Sequence, residues 1–345
     1  MAGLRALAEG LRWRRPGTRP LATDSLRVRQ QFEPPPPEAL QWFPGHMRDG
    51  WHQMEAKLRA VDAVIEVHDA RVPLSGRNAR IAQALAARPR LLVLNKADLI
   101  SAEARRLVRR RLERDSPCPV LFTCCRDQAD AGLRGVARAL AALIAGQERA
   151  ARADAREFNC MVVGVPNVGK SSLINALRSV HLRRAAATPV GARAGVTRSV
   201  LTRIKVSARP LIYVRDTPGV LEPRLEGAEA GLRLALCAAM QDHLVGPRLL
   251  ADYLLYWMNR RANHAYVPYM AVTGPTDDVD RLLASSAAAR GRYVRVRDVA
   301  AGGVRQRPDV REAALHMVRG FRSGAFGQLL LDDDVLEERA PPPAG

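Results

Sequence analysis

Gly164-Val165-Pro166-Asn167-Val168-Gly169-Lys170-Ser171 has the spacing G-x4-G-K-S, with Ser172 directly after it. Glycines in such a loop let backbone amides converge on phosphate oxygens, and a helix N-terminus behind them adds positive dipole. Lys170 can then reach the β- and γ-phosphates of a nucleoside triphosphate, and the Ser171 hydroxyl can ligate Mg2+. An earlier quartet, Asn95-Lys96-Ala97-Asp98, suits a guanine base. The Asp98 carboxylate can accept from N1–H and the exocyclic 2-amino group, a donor pair that adenine lacks. Asn95 would bond the base and tie its loop to the phosphate loop, while the Lys96 stem lies against the ring. Thr123-Cys124-Cys125 sits where a backbone amide could meet guanine O6. Two later positions complete the set. Thr197 could close on Mg2+ and the γ-phosphate; in Asp216-Thr217-Pro218-Gly219, Asp216 would hold Mg2+ through water and the Gly219 amide would sense the γ-phosphate.

Chemistry of this kind needs strands that end at these residues. The apolar run Cys160 to Val163 predicts a strand entering the phosphate loop, with a helix from Ser172. Further strands are expected at 61–67, 90–94, 119–123, 200–206 and 210–214, and helices at 47–60, 78–87, 101–115 and 132–144. After Leu225 the pattern turns helical, at 226–245, 246–261, 277–290 and 309–321. Leu249, Leu250, Tyr253, Leu254 and Trp257 recur at the spacing of a packed helix face. The expected fold is α/β: a doubly wound, mostly parallel sheet over 41–222, followed by a smaller all-α domain over 223–332.

Charge narrows the partners. The 345 residues carry a formal +19, which points to a polyanion, nucleic acid or an acidic lipid surface. No run of eighteen apolar residues is present, so no membrane-spanning helix is expected. Five cysteines without a C-x-x-C pair suggest a reducing compartment, and seven scattered histidines give no zinc pattern. Residues 1–31 hold seven arginines against Glu9 and Asp24, with Leu and Trp13 interleaved. That reads as a mitochondrial presequence, or alternatively as a disordered basic arm for RNA. Pro34 to Pro37 make 32–40 a stiff linker, and 333–345 reads as a disordered tail. The six arginines of 101–115 form either a solvated face or an RNA contact.

The motif order is unusual. The guanine-reading quartet precedes the phosphate loop, whereas an ordinary GTPase begins with the phosphate loop. This is a circular permutation, which a doubly wound sheet tolerates because ligands still bind at the carboxyl ends of its strands. On these motifs, with Phe43-Pro44-Gly45-His46-Met47, Asp69 to Ser75, Gly195-Val196-Thr197 and Phe321-Arg322-Ser323-Gly324, the chain resembles the circularly permuted YlqF/RbgA-type ribosome-assembly GTPases. The likeness spans about residues 40–332 and is nearest to their mitochondrial ribosome-associated branch. Cys124-Cys125 departs from the family's usual Ser or Thr, where only backbone contacts are expected.

The resemblance implies a Mg2+-dependent GTPase binding GTP and GDP that regulates assembly of the mitochondrial large ribosomal subunit, and hence mitochondrial translation. It implies an RNA-docking C-terminal domain, a monomer in the matrix, and peripheral contact with the anionic inner membrane. The place of the usual water-orienting glutamine holds Val220. The family implies a substitute, for which His46 is the candidate; a packed histidine is the alternative. Asn167 resembles the asparagine of K+-dependent GTPases. Two other classes stay open: a P-loop kinase or ATPase, which Asn95 and Asp98 disfavour, and a nucleotide-gated rRNA-binding scaffold with negligible hydrolysis.

Overall fold

The structure, a computed structural model, describes residues 26–35, 60–77, 79–85, 88–146, 157–184, 187–188, 203–219, 227–298 and 303–338, with Glu55 and Leu58. Six strands form the main sheet: β1 (Ala63–Asp69), β2 (Arg90–Asn95), β3 (Val120–Thr123), β4 (Glu157–Val163), β5 (Arg203–Ala208) and β6 (Leu211–Asp216), in the order β3-β2-β1-β4-β6-β5. All neighbours run parallel except β5, which is antiparallel to β6. The helices on it are α1 (Ala79–Ala84), α2 (Ala102–Asp115), α3 (Ala131–Ala145) and α4 (Lys170–Leu182).

β1 lies in the middle and every residue in it is buried. A parallel strand covered on both faces should be continuously apolar, and here Ala63, Val64, Ile65 and Val67 comply. Its polar members are paired instead: His68 Nε2 lies 2.9 Å from Glu66 Oε1, and Arg90 lies 3.0 Å from Glu66. Ser101 caps α2 by accepting from the Ala104 amide at 3.0 Å, and Asp130 caps α3 from Leu133 at 2.7 Å. Both helices therefore start within a residue of their expected positions.

The C-terminal part comprises α5 (Ala228–Leu236), α6 (Asp242–Val245), α7 (Pro247–Arg260), α8 (Tyr266–Tyr269), α9 (Val279–Ala289), α10 (Val310–Ser323) and α11 (Asp333–Glu338). Its core is continuous with that of the sheet, since Leu250, Leu254 and Met317 belong to the same apolar cluster as Ile65, Val93 and Leu173. Burying each such side chain is worth about 1.5–3 kcal/mol.

Several expectations are corrected. The single helix over 226–245 is two, broken at Ala238, which adopts φ 65°; no Gly or Pro announces the break. The all-α C-terminal domain contains an antiparallel ribbon, β7 (Tyr293–Asp298) with β8 (Gly303–Pro308), between α9 and α10. Its alternating Tyr-Val-Arg-Val-Arg is a strand pattern that the arginine count obscured. The boundaries shift at both ends. Arg29 and Phe32 straddle the expected edge at residue 31 yet pack together: Arg29 pairs with Asp252 at 2.8 Å and Asp277 at 3.1 Å, and Phe32 meets Tyr253 edge-on at 5.1 Å. At the other end, 333–338 is helical, with Arg261 on Asp333 and Arg233 on Asp334.

Candidate functional site

β2 delivers Asn95 to the carboxyl edge of the sheet. Its amide nitrogen donates to the Val168 carbonyl at 2.9 Å; its oxygen accepts from the Thr123 hydroxyl and the Cys125 amide, both at 3.3 Å. One side chain thus joins the ends of β2 and β3 to the phosphate loop, which is the tying role expected of it. Lys96 follows at φ 59°, and its ammonium donates to Asp69 Oδ2 and to the Asn167 carbonyl, each at 2.8 Å. Ala97 is buried in the short turn Ala97–Leu99, and Asp98 is exposed beside Cys124. Burial raises the Cys124 thiol above its usual range, and its hydrogen bond to the Asp98 carboxylate adds to the shift. The shuffled motifs therefore meet in one place.

The phosphate loop between β4 and α4 depends on its glycines. A Cβ on Gly169, at φ 102°, would lie 2.2 Å from Asn95 Nδ2, so only glycine allows the two loops to touch. Lys170 Nζ donates to the Gly164 and Val165 carbonyls at 3.1 and 3.0 Å. Burial pushes this lysine down to about 8, opposed by the Asp216 carboxylate. Such a lysine gains from an arriving phosphate, which supplies the negative charge that burial leaves wanting. Ser171 and half-buried Ser172 lie in the first turn of α4.

Ser171 donates to Asp216 Oδ2 at 2.6 Å, while Asp216 Oδ1 is buried without a partner. Burial holds the Asp216 carboxyl above its usual value, although Ser171 and Lys170 pull it down. A hydroxyl and a carboxylate with one orphaned oxygen are hard donors that fit Mg2+, which takes one or two protein ligands and fills its shell from phosphates and water. Among the described residues no three His, Cys, Asp or Glu gather as a metal cluster, and this donor set needs none. Gly219 packs on the phosphate loop so tightly that a Cβ there would meet Pro166 Cα at 2.6 Å. His46 and Thr197 lie outside the described residues.

Other contributors were outside the expected site. Asp69 anchors Lys96 and also binds Arg71 at 2.8 Å, and these cations hold its carboxyl far below the usual range despite its burial. Thr217 fastens the end of β6 to β4 through the Val162 carbonyl at 2.6 Å. Thr188 donates to the Ser171 carbonyl at 3.2 Å and receives Asn175 Nδ2 on its own carbonyl at 2.8 Å. The Asn167 carboxamide, expected near a monovalent cation, donates to the Ala238 carbonyl at 2.8 Å.

The family described as 50S ribosome-binding GTPase matches residues 159–264, which begin in β4 and so leave out the strands β1 to β3 that come before it. Mitochondrial GTPase 1 of Aedes aegypti is 50% identical over 300 residues, covering 86% of this chain and 95% of that protein. Mitochondrial ribosome-associated GTPase 1 of Xenopus tropicalis is 44% identical, covering 89% and 99%. The chain belongs to the mitochondrial ribosome-associated GTPase family. Ribosome biogenesis GTPase A of Bacillus cereus is 31% identical, covering 87% and 99%. The GNP-bound crystal structure of YlqF from T. maritima shares the fold, with a TM-score of 0.54 at 18% identity over 82% of this chain and 97% of that one.

In this family member the Asn95–Asp98 loop, expected to read guanine, is also held from behind. Residues 328–332 run along it: Gln328 donates to the Asp98 carbonyl at 3.2 Å, Leu329 to Leu99 at 2.9 Å and Leu331 to Arg71 at 2.8 Å. Asp332 closes the strap, accepting from the Leu74 and Ser75 amides at 2.7 and 2.8 Å and from the Ser75 hydroxyl at 2.5 Å. Arg71 also stacks on the Phe321 ring, 4.6 Å from its centroid.

Proposed function

We propose that this chain is a Mg2+-dependent GTPase switch that binds the maturing mitochondrial large ribosomal subunit when loaded with GTP and leaves after hydrolysis. The observation that supports this most directly is the pair of bonds from Asn95 and Lys96 to the phosphate loop, which make one pocket of the guanine reader and the triphosphate cradle. The relatives' names supply the ribosomal and mitochondrial context.

In this reading Asp98 accepts from the guanine edge, Lys170 and the α4 N-terminus hold the phosphates, and the Gly219 amide faces the γ-phosphate. Ser171 and Asp216 hold the cation, with Thr197 joining them on closure. Bound there, Mg2+ would neutralise charge on the β- and γ-phosphates. His46 orients the attacking water, because Val220 has no group that could. Asn167 stands beside K+ in the phosphate loop, with its carboxamide nitrogen on Ala238. The large subunit stimulates turnover of the monomer. The basic N-terminal stretch, expected over residues 1–31, directs the chain to the matrix, where the protein's positive charge favours peripheral contact with the inner membrane.

Co-sedimentation with mitochondrial large subunits tests the switch: binding is expected with a non-hydrolysable GTP analogue and release with GDP. Equal binding in GTP, GDP or no nucleotide overturns it. Excess ATP is expected to leave bound GTP in place, and Asp98→Ala to abolish that preference. Turnover in K+ against Na+, and in His46→Ala, checks the two catalytic assignments; unchanged rates dismiss them. Val220 favours a second reading, a nucleotide-gated rRNA scaffold with negligible hydrolysis, which subunit-stimulated turnover would eliminate.

A further inference from the structure

The β7–β8 ribbon is covered on neither face. Tyr293 is 49% exposed, Val296 38% and Val304 67%, and every residue of 293–297 and 303–307 is exposed. A two-stranded ribbon has little stability of its own, and exposed apolar side chains in it mark a surface that something else covers. Its base is fixed: the Asp309 amide donates to the Arg292 carbonyl at 3.0 Å, and Asp309 caps α10 by accepting from the Glu312 amide at 2.9 Å. The ribbon therefore stands on two packed helices as a projection about 20 Å long, at about 3.3 Å per residue.

The register decides what it can hold. Val294 pairs with Arg307 and Val296 with Arg305, so these four share one face. Arg295 pairs with Gln306 and Arg297 with Val304, which puts both arginines on the other face with Tyr293. Each face thus mixes two guanidinium groups with apolar or aromatic surface, and the pair Asp298–Gly303 at the ribbon's end continues the alternation of the Arg305 face. A lipid-binding element would need one face apolar and the other basic. An acidic protein surface would neutralise only the face laid against it. Cations on both sides suit an occupant that presents negative charge on both sides at once, as the two phosphate walls of an RNA groove do.

We propose that this ribbon inserts into the major groove of duplex RNA where a bulge has widened it, with Arg295 and Arg297 on one backbone, Arg305 and Arg307 on the other, and Tyr293 against an unstacked base. An undistorted A-form major groove is too narrow to admit it. The proposal deepens the ribosomal reading, which names rRNA as the source, but its test is independent of the nucleotide switch.

The full chain, loaded with GDP, is titrated by fluorescence anisotropy with a bulged RNA duplex across a salt series. The same titration is run with an uninterrupted duplex, a single strand and anionic phosphatidylserine vesicles. Wild type is expected to prefer the bulged duplex. R295Q/R297Q/R305Q/R307Q is expected to lose about tenfold or more in affinity, and about three to four units of salt slope, at roughly 0.9 per phosphate contact. R295Q/R297Q and R305Q/R307Q are each expected to lose about half of that slope, and the corresponding four-lysine variant to keep most of it. GDP affinity should be unchanged in all of them, which reads out folding. The proposal is overturned by wild-type slope in the fourfold glutamine variant or by a loss confined to one face. It is equally overturned by a loss seen only with vesicles, or by wild type that ignores the bulge. None of these outcomes bears on GTP-dependent association with the subunit.

Discussion

Lys170 lies below its usual 10.5, at about 8, because burial disfavours its charge. Between those pH values the folded, nucleotide-free protein binds fewer protons than the unfolded chain, so its stability should rise with pH across that window. Thermal melts at pH 8 and 10 should show the rise in wild type and a flatter profile in Lys170→Met. Nucleotide phosphates favour the charged form, so GDP affinity should fall as pH climbs above 8. At Gly169 the limit is steric: Gly169→Ala drives a methyl into Asn95, and calorimetry should find nucleotide binding lost while the sheet still folds. At this scale the sequence was highly legible, because G-x4-G-K-S and N-K-x-D are local spacings with a local mechanism. The roles of Asp69 and Asp332 were not: Asp69 stands in a motif of the family, but its hold on Lys96, like that of Asp332 on Ser75, rests on partners supplied by folding.

The elements with the greatest leverage are the strap at 328–332 and the break at Ala238. Phe321 carries the strap's helix against Arg71, and Arg71 orients the Asp69 that holds Lys96. Phe321→Ala should cost about 3–5 kcal/mol, read from denaturant midpoints, with weakened GDP binding; Phe321→Leu should keep most of both. Asp332→Ala leaves the part-buried Leu74 and Ser75 amides and the Ser75 hydroxyl without their acceptor, while Arg233 keeps Asp334, at about 1–3 kcal/mol by the same measurement. Among the described residues, strands and helices around the sheet are readable to within a few residues, since caps such as Ser101 and Asp130 act locally; the helix expected at 47–60 lies almost wholly outside those residues. The break at Ala238 was not, because it is stabilised by Asn167, 71 residues earlier in the chain. The ribbon was missed for a different reason: its period-two pattern lies inside a run of arginines.

At the scale of the whole molecule, the permutation separates in sequence what the sheet joins in space. β1 pairs with β2 on one side and with β4 on the other, so the guanine-reading half and the phosphate-binding half share their central seam. The motif order made that arrangement readable before any coordinates. The merging of the helical part into the same core was not, since apolar helices alone do not say which neighbours they will find. There is also a consequence in time. Ser75 and Asp332 stand 257 residues apart, so the clasp behind the Asn95–Asp98 loop cannot form until residue 332 has been synthesised. At about 5–20 residues per second, a nascent chain waits tens of seconds between making Ser75 and making Asp332. The loop gains its latch only after residues 328–332 are made, and a chain truncated before Leu329 should emerge with an unlatched pocket.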